Sequence, residues 1–277
     1  MFSQVGPGVA CDYTSRRREK PMHTTPSTSR GIALVTGGAG DIGREICRHL
    51  AMDGWSVVAS DILPASTATP LLDAIAQQEE SNIRYMVCDQ TKPSEVAALF
   101  EELPDVSLVV IAAGTVKAQP FLEVERDQWD RQLEVNLTGS FMIAQEAAQT
   151  MVAHGTKGHL IFVSSWVASH AWPEITAYTV SKAGLDQLMR QIALELAPKG
   201  IRANSVAPGI VLAGLAKGQL ETEPEYAKRV ATAIPLGQLQ TAADVAQSVG
   251  FLASPGASTM TGSILTVDGG CSLGQVR

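Results

Sequence analysis

A tyrosine, a lysine and a serine have a spacing that suits proton transfer. Tyr178 and Lys182 are four residues apart, and Ser165 lies thirteen residues before the tyrosine. On a helix the tyrosine and lysine share one face. The lysine cation would then favour the phenolate and lower a tyrosine pKa that is ordinarily about 10. Tyr178 could take the proton of an alcohol whose oxygen Ser165 holds by a hydrogen bond.

A glycine-rich segment near the start of the chain suits a nucleotide. Residues 36–43 read TGGAGDIG and lie between an apolar run and an amphipathic segment. Such a turn lets the backbone approach a pyrophosphate, and the following helix offers free N–H groups to the anion. An ordinary strand-to-helix turn is the alternative. Combined with the proton-transfer residues, the turn predicts a dinucleotide that exchanges a hydride with an alcohol carbon.

Asp61 at the end of the second predicted strand favours NAD over NADP. A carboxylate there accepts hydrogen bonds from ribose hydroxyls and repels a 2′-phosphate. Gly40 and Ile62 supply no compensating cation. Two alternatives stay open: Asp61 could cap a turn, and Arg44 could reach a 2′-phosphate.

Composition limits the other classes of function. The chain has 277 residues, of which 45% are hydrophobic and 18% charged, and this predicts an α/β protein with a large core. A net charge of −7 argues against nucleic acid as a partner. No apolar run approaches about 18 residues, so we expect no membrane span. The four cysteines form no C-x-x-C pair, which predicts reduced thiols, a cytoplasmic location and no metal site.

Residues 1–30 differ from the rest of the chain. They are rich in Ser, Thr, Pro and basic residues and contain no long apolar core. We predict a flexible N-terminal extension; an organelle transit peptide is the alternative. Met22 could also be the true start.

Strand and helix patterns alternate from residue 32 onward. We predict strands at 32–36, 55–60, 83–87, 108–112, 160–164, 202–206 and 263–267. We predict helices at 42–53, 71–78, from Pro93, at 126–153 and at 176–197. This alternation predicts one doubly wound α/β domain over 31–277 with a parallel sheet. A helical flap near 212–238 would cover the carboxyl edge of the sheet.

The glycine turn and the set of Ser165, Tyr178 and Lys182 resemble motifs of the short-chain dehydrogenase/reductase family. The resemblance covers about residues 31–274. Asn136, Ser165, Tyr178 and Lys182 match the family's Asn-Ser-Tyr-Lys tetrad. The resemblance implies that Asn136 places a water molecule and that Lys182 holds the nicotinamide ribose. We therefore predict a Rossmann-type fold with a seven-stranded parallel sheet in the order 3-2-1-4-5-6-7 and helices on both faces.

The resemblance also implies a set of cofactor contacts. Asp89 looks like the family's acid that bonds the adenine amino group, and Pro208-Gly209 looks like the segment that meets the nicotinamide amide. The whole predicted set is Gly37, Gly40, Asp41, Ile42, Gly43, Asp61, Ile62, Asp89, Gln90, Ala113, Gly114, Tyr178, Lys182, Pro208, Gly209 and Val211.

Four positions depart from the family's pattern. Asp41 stands where the middle glycine of the turn usually lies, and could instead cap the helix. Ile111 and Ala112 replace two asparagines, which removes a side-chain tie between neighbouring strands. Ala213 replaces a threonine. These departures leave open a non-catalytic dinucleotide-sensing or scaffold protein.

The remaining predictions concern substrate and assembly. Trp166, His170, Trp172 and Leu212 are candidates for the wall of a substrate pocket. We expect an NAD(H)-dependent oxidoreductase that interconverts a small secondary alcohol and a ketone, with an NADPH-dependent 3-oxoacyl (acyl-carrier) reductase as the rival. The resemblance implies a homotetramer or homodimer, paired through helices 126–153 and 176–197.

Overall fold

The structure, a computed structural model, describes residues 30–78 and 83–274. Nearly all of the predicted extension, with the alternative start at Met22, lies outside the described residues. Within them, seven strands form one sheet. Their bounds are β1 Ile32–Thr36, β2 Ser56–Asp61, β3 Ile83–Val87, β4 Val106–Ile111, β5 His159–Val163, β6 Arg202–Pro208 and β7 Ile264–Val267.

The sheet has the strand order β3-β2-β1-β4-β5-β6-β7, and every neighbouring pair is parallel. The predicted order and fold class are therefore confirmed. From β1 the chain runs outward to β3, returns to the centre at β4 and continues to the opposite edge, which is the doubly wound connection. Short apolar runs fit this arrangement because helices cover both faces; every residue of β5 is buried.

Helices pack on both faces of the sheet, as predicted. Their bounds are α1 Asp41–Met52, α2 Ala65–Gln78, α3 Pro93–Glu101, α4 Arg126–Leu133, α5 Ser140–Ala153, α6 Thr176–Leu196, α7 Gly214–Thr222, α8 Pro224–Ala233 and α9 Ala242–Ala253. Successive residues of a strand point to opposite faces. Leu34 of β1 therefore joins the core with α3, α5 and α6, whereas Ala33 and Val35 join the core with α1, α2 and α9.

The long helix predicted over 126–153 is interrupted. One turn of π-helix, Glu134–Gly139, separates α4 from α5. Asn136 lies in this turn with its side chain fully buried, and its carbonyl accepts a hydrogen bond from Ser140 Oγ at 2.8 Å. Because a π-turn keeps the chain helical, the sequence pattern did not reveal it. Such turns are frequent at functional sites.

Two other stretches refine the predicted elements. α2 begins at Ala65, earlier than the predicted start at residue 71, and it includes Pro70, which has no N–H to donate one turn back. The stretch near 212–238 contains α7 and α8. A parallel bridge between Val211 and Gln240 joins the residues on either side of this stretch.

The carboxyl ends of the parallel strands share one edge of the sheet. Thr36, Asp61, Ile111, Val163 and Pro208 are the last residues of β1, β2, β4, β5 and β6. In open parallel sheets, ligands bind outside this edge, where the strand order reverses. The segments singled out for their chemistry follow these strand ends, so the fold gathers them in one place.

Candidate active site

A cleft of about 570 Å³ opens at the carboxyl edge of the sheet. Ser165 lines it. Every residue predicted to contact the cofactor lines it as well, namely Gly37, Gly40, Asp41, Ile42, Gly43, Asp61, Ile62, Asp89, Gln90, Ala113, Gly114, Tyr178, Lys182, Pro208, Gly209 and Val211. Residues from both halves of the sheet therefore face one cavity, and their individual roles there remain predictions.

Two glycines of the turn are needed for its close packing. Gly37 has a φ of +65°, and a Cβ at this position would lie 2.7 Å from the Cα of Ala113. A Cβ at Gly43 would collide with the carbonyl oxygen of Gly37. The turn therefore packs backbone against backbone at these two positions.

The first turn of α1 can receive an anion. α1 begins directly after the turn, with Gly40 at its N-cap, and no side chain caps it. The first N–H groups of a helix have no partner within the helix, and the helix dipole favours negative charge there. A pyrophosphate fits this donor set.

Asp41 does not cap its own helix. Its Oδ1 forms an ion pair with Arg44 Nη2 at 2.8 Å, and its Oδ2 accepts a hydrogen bond from the backbone N–H of Gly214 at 3.0 Å. The side chain remains 48% exposed. The residue that departs from the family's glycine thus links the start of α1 to the start of α7.

Asp61 ends β2 and is anchored to the glycine turn. Its Oδ2 accepts a hydrogen bond from Ala39 N at 3.2 Å, and its Oδ1 accepts one from Leu63 N at 3.3 Å. Tyr85 OH donates to the Asp61 carbonyl at 3.1 Å. Burial, with a smaller contribution from the Asp61 charge, raises the pKa of Tyr85 to about 12. The carboxylate is therefore held in place at the edge of the cleft.

Asp89 and Gln90 follow β3 and are both fixed by neighbouring groups. Burial alone would raise the pKa of Asp89, but hydrogen bonds from the side chain and backbone of Thr91 lower it. Gln90 is buried, and its Nε2 donates to the Val135 carbonyl at 2.8 Å. Its Oε1 has no hydrogen-bond partner in the protein. A buried acceptor without a partner in a lining residue fits a ligand with an amino group.

The side chain of Thr36 links the end of β1 to the turn after β4, where the family's two asparagines are missing. Its Oγ1 accepts hydrogen bonds from Ala112 N at 3.2 Å and from Ala113 N at 3.3 Å. The end of β1 is therefore held to the turn after β4 by a hydroxyl. The family's asparagines at the positions of Ile111 and Ala112 are not needed for this connection.

Asn136 holds three segments together. Its Oδ1 accepts a hydrogen bond from Thr115 N at 2.7 Å, while its Nδ2 donates to Thr115 O at 2.8 Å and to Ser181 Oγ at 3.0 Å. It is fully buried. The π-turn aims the amide at the loop after β4 and at α6, so Asn136 fixes the helix that carries Tyr178.

Ser165 and Ser164 point to different partners. Ser165 is the N-cap of the short 3₁₀ turn Trp166–Ala168, and its Oγ accepts a hydrogen bond from Val167 N at 3.4 Å. Ser165 also lies close enough to Tyr178 to oppose the rise in the pKa of Tyr178 that burial causes. Ser164 follows the last residue of β5 and is buried, but its Oγ has no partner within hydrogen-bond distance. The geometry therefore favours Ser165 as the serine that acts with the tyrosine, as its spacing predicts.

Tyr178 and Lys182 lie on one face of α6. Lys182 Nζ is 5.6 Å from the centre of the Tyr178 ring and donates to the Val163 carbonyl at 2.7 Å. Burial raises the pKa of Tyr178 and Ser165 opposes this rise, so the net direction is opposite to the lowering that the sequence predicts. Lys182 is buried as well, and loss of solvent lowers its pKa to about 8, against the opposing charge of Asp186.

The four predicted substrate-pocket residues are not among those that line the cleft. Trp166 packs edge-to-face on Trp172 at 5.4 Å, with His170 6.4 Å away on its other side. Leu212 is 47% exposed. Trp166 and Trp172 pack in a cluster with α8 that also contacts Tyr178. They therefore support the tyrosine from behind, and their part in substrate binding stays a prediction.

Sequence reasoning missed several residues of the cleft. Thr115 and Val116 line it after β4, and Arg131 of α4 lines it near Asp89, whose pKa its charge helps to lower. Arg131 lies five positions before Asn136, but its place at the cleft becomes visible only when the bounds of α4 are known. Across residues 30–78 and 83–274, no cluster of His, Cys, Asp or Glu could hold a metal, and no helix could span a membrane.

A glycine turn, a helix N-terminus and a half-buried tyrosine beside a buried lysine and serine, at the edge of a doubly wound sheet, define a dinucleotide-dependent oxidoreductase. Residues 37–272 match the protein family described as enoyl-(acyl carrier protein) reductase. A solved structure of a short-chain type dehydrogenase/reductase from Mycobacterium ulcerans is 30% identical, with a TM-score of 0.81, and the match covers 89% of this chain and 91% of that one.

Curated relatives agree on the class of reaction. A (3R)-3-hydroxyacyl-CoA dehydrogenase of Mus musculus is 35% identical over 252 residues, covering 86% of this chain and 95% of its own length. An L-rhamnose 1-dehydrogenase (NAD(P)(+)) of a Sphingomonas strain is 35% identical over 240 residues, covering 86% and 94%. The chain belongs to the short-chain dehydrogenase/reductase family and is an enzyme acting on CH–OH groups. The non-catalytic alternative is therefore set aside.

Proposed function

We propose that the protein is an NAD(H)-dependent oxidoreductase that interconverts a secondary alcohol and a ketone. The observation that carries this proposal is the position of Tyr178. It lines the same cleft as the glycine turn and Ser165, and the Lys182 ammonium lies 5.6 Å from the centre of its ring. A bound nicotinamide supplies the hydride acceptor for alcohol oxidation and the donor for ketone reduction.

Four side chains have separate roles in the proton transfer. Ser165 Oγ holds the substrate oxygen, and Tyr178 OH takes the alcohol proton during oxidation or returns it during reduction. Lys182 stabilises the phenolate by its charge and holds the ribose beside it. Asn136, tied to Thr115 and Ser181, fixes α6 at this distance from the turn, and we assign it the water that passes the proton to solvent.

Asp61 supports a preference for NAD. Its carboxylate is anchored to Ala39, so it cannot easily swing away from a 2′-phosphate. Arg44, which could have neutralised such a phosphate, is already paired with Asp41 at 2.8 Å. Gly40 and Ile62 beside the turn carry no charge. We propose that ribose hydroxyls are accepted at Asp61 and that a phosphate is repelled.

Replacement of Tyr178 by Phe tests the proposal. The variant removes only the hydroxyl, so NAD should bind with an unchanged Kd while kcat for alcohol oxidation falls by at least about a hundredfold. Tyr226→Phe is a matched control, because it removes the same hydroxyl from a tyrosine that is buried on α8 and does not line the cleft. A panel of cyclic alcohols, polyols, hydroxy acids and a 3-hydroxyacyl thioester supplies substrates. Near-normal turnover in Tyr178→Phe excludes the proposed proton role.

An NADPH-linked 3-oxoacyl reductase is the second candidate. The mouse hydroxyacyl-CoA relative and the description of the matching family favour a thioester-linked acyl substrate. Fluorescence titration with NADH and NADPH separates the two candidates. Tighter binding of NADPH by tenfold or more would favour the second.

We also propose that the protein assembles as a homodimer or homotetramer through α5 and α6. An apolar groove of about 440 Å³ runs between these helices, lined by Leu188 and Ile192 among others. Phe141 and Val152 of α5 are 42% and 44% exposed on it. Light scattering on Phe141→Asp should give a smaller mass than the wild type. An unchanged mass would place the contact elsewhere.

We place the protein in the cytoplasm. Of its four cysteines, the three that lie within the described residues, Cys47, Cys88 and Cys271, are buried free thiols. Buried thiols without disulfides are typical of a reducing compartment. Fractionation of cells followed by immunoblotting would test this location.

A further inference from the structure

A carboxylic acid that the proposed reaction does not use lies one helical turn beyond Lys182. Asp186 is on α6, its residue is only 5% exposed, and its Oδ1 has no hydrogen-bond partner. An acid without partners in the interior is costly, so its presence needs an electrostatic reason. Residues four apart on a helix are neighbours, so the acid and the lysine lie on the same buried face of α6.

Two hydroxyls from adjacent strands face the same acid. Ser164 follows β5 and Ser205 lies in β6, and both are buried. Neither Oγ makes a hydrogen bond within 3.5 Å, yet both lie near enough to the Asp186 carboxylate to oppose the rise in its pKa that burial causes. The acid, the two hydroxyls and the lysine are thus one cluster of buried polar side chains, and Ser164 and Lys182 of this cluster line the cleft.

Two cations of the same helix favour the ionised form of Asp186: Lys182 lies one turn before it and Arg190 one turn after it. From the sheet side, the neutral hydroxyls of Ser164 and Ser205 favour the same form. Lys182 in turn donates to the Val163 carbonyl, a dipole and not a full negative charge. Asp186 is the acid whose charge opposes the loss of the lysine's proton.

We propose that Asp186 is a positioning residue that keeps Lys182 in its ammonium form, with Ser164 and Ser205 holding the Asp186 carboxylate ionised. A neutral lysine cannot stabilise a Tyr178 phenolate, so Asp186 acts on the phenol through the lysine. The kinetic consequence rests on the proposed function. The charge state of Lys182 is a property of the free protein and can be measured without any substrate.

The direct test is a pH titration of Lys182 by NMR. Its ¹³Cε resonance in lysine-labelled protein is assigned by its absence from Lys182→Met. In Asp186→Asn, which keeps the shape and removes the charge, the midpoint should fall by about one pH unit. Asp105→Asn, at an exposed position before β4, is the charge-matched control and should leave the midpoint unchanged. A midpoint in Asp186→Asn equal to that of the wild type overturns the proposal.

The pH profile of turnover gives the second readout. The ammonium fraction falls as pH rises through the pKa of Lys182. A lower midpoint therefore moves the alkaline limb of kcat/KM toward neutral pH by the same interval. At pH 8 a shift of one unit corresponds to about a fivefold loss. A purely structural role would lower kcat/KM at every pH without moving this limb, and that result also overturns the proposal.

A second variant covers the case in which Asp186→Asn does not fold. Ser205→Ala removes one hydroxyl that favours the ionised acid, so it should shift the Lys182 midpoint in the same direction by a smaller interval. No shift in a folded Ser205→Ala protein would count against the proposal. If wild-type protein turns over no alcohol but the midpoint still depends on Asp186, the proposed function fails and this inference stands.

Discussion

The carboxylate of Asp41 is hydrogen-bonded to the backbone N–H of Gly214 at 3.0 Å, across 173 positions of sequence. The contact joins the first residue of α1 to the first residue of α7. Arg44 pairs with the other oxygen of the same carboxylate. The segment predicted to cover the cleft is therefore attached to the turn that would receive a phosphate.

Asp41→Asn should tighten NAD binding. The substitution removes a negative charge beside the expected pyrophosphate while an amide oxygen can still accept from Gly214. A charge at a helix N-terminus is worth about 0.3–1 kcal/mol, so Kd should fall by about two- to fivefold. The gain should shrink at high salt, because the carboxylate is 48% exposed. Fluorescence titration at two salt concentrations measures it; weaker binding would show that the carboxylate helps to hold the cofactor.

Asp61→Asn should relax the choice between NAD and NADP. The amide oxygen can still accept from Ala39, so the turn keeps its anchor while the charge that repels a 2′-phosphate disappears. The ratio of the two dissociation constants should move toward NADP by about tenfold or more. Calorimetric titration with both nucleotides gives this ratio. A wild-type protein that already prefers NADPH would contradict the assignment of Asp61.

His159 should make the protein less stable in acid. Asn204 Nδ2 donates to its Nε2 at 2.8 Å. Burial, and then the charge of Arg202, lower its pKa to about 3 from an ordinary 6.5. The folded state thus binds fewer protons than the unfolded state between these values. The stabilisation is complete above about pH 6.5 and is lost as pH falls toward 3, with about 2 kcal/mol gone at pH 5.

Urea unfolding at pH 7 and pH 5 checks this expectation. The free energy of unfolding of His159→Gln should depend less on pH than that of the wild type, even though its value at pH 7 is lower. Equal pH dependence in the two proteins would assign the acid sensitivity to other groups.

Asn136→Ala should destabilise the fold as well as slow turnover. It removes the partner of the Thr115 N–H and carbonyl and one of the two partners of the Ser181 hydroxyl, and it leaves a gap where the fully buried amide was. A loss of about 2–4 kcal/mol follows. Ser140→Ala is the matched control, because it removes a single hydrogen bond to the Asn136 carbonyl and should cost about 1 kcal/mol. Similar losses in both variants would mean that the amide of Asn136 is not the main tie.

The fold was predictable because its signals are local. Strands such as β1 and β5 are short apolar runs, and in a sheet covered on both faces they need no other feature. The need for glycine at Gly43 is local in the same way, since a Cβ there would collide with the Gly37 carbonyl, whereas at Gly37 it also depends on contact with the distant Ala113.

The parts that could not be predicted depend on long-range contacts. The π-turn at Glu134–Gly139 leaves no mark in the apolar pattern, because the chain stays helical through it. Nothing in the sequence distinguishes Asp186 from a surface acid. Only the fold shows that it is buried near Ser164 and Ser205. Trp166 packs on Trp172 and α8 and is not among the residues that line the cleft, so its expected place at a substrate-pocket wall stays a prediction.

α6 has two working faces. It presents Tyr178 and Lys182 to the cleft, and further along it presents Leu188 and Ile192 to the groove beside α5. A substitution at the groove can therefore shift α6, the helix that positions the Tyr178 hydroxyl. If a variant designed to separate subunits loses turnover, a shift of α6 is enough to explain the loss. That result alone would not show that a neighbouring copy takes part in the chemistry.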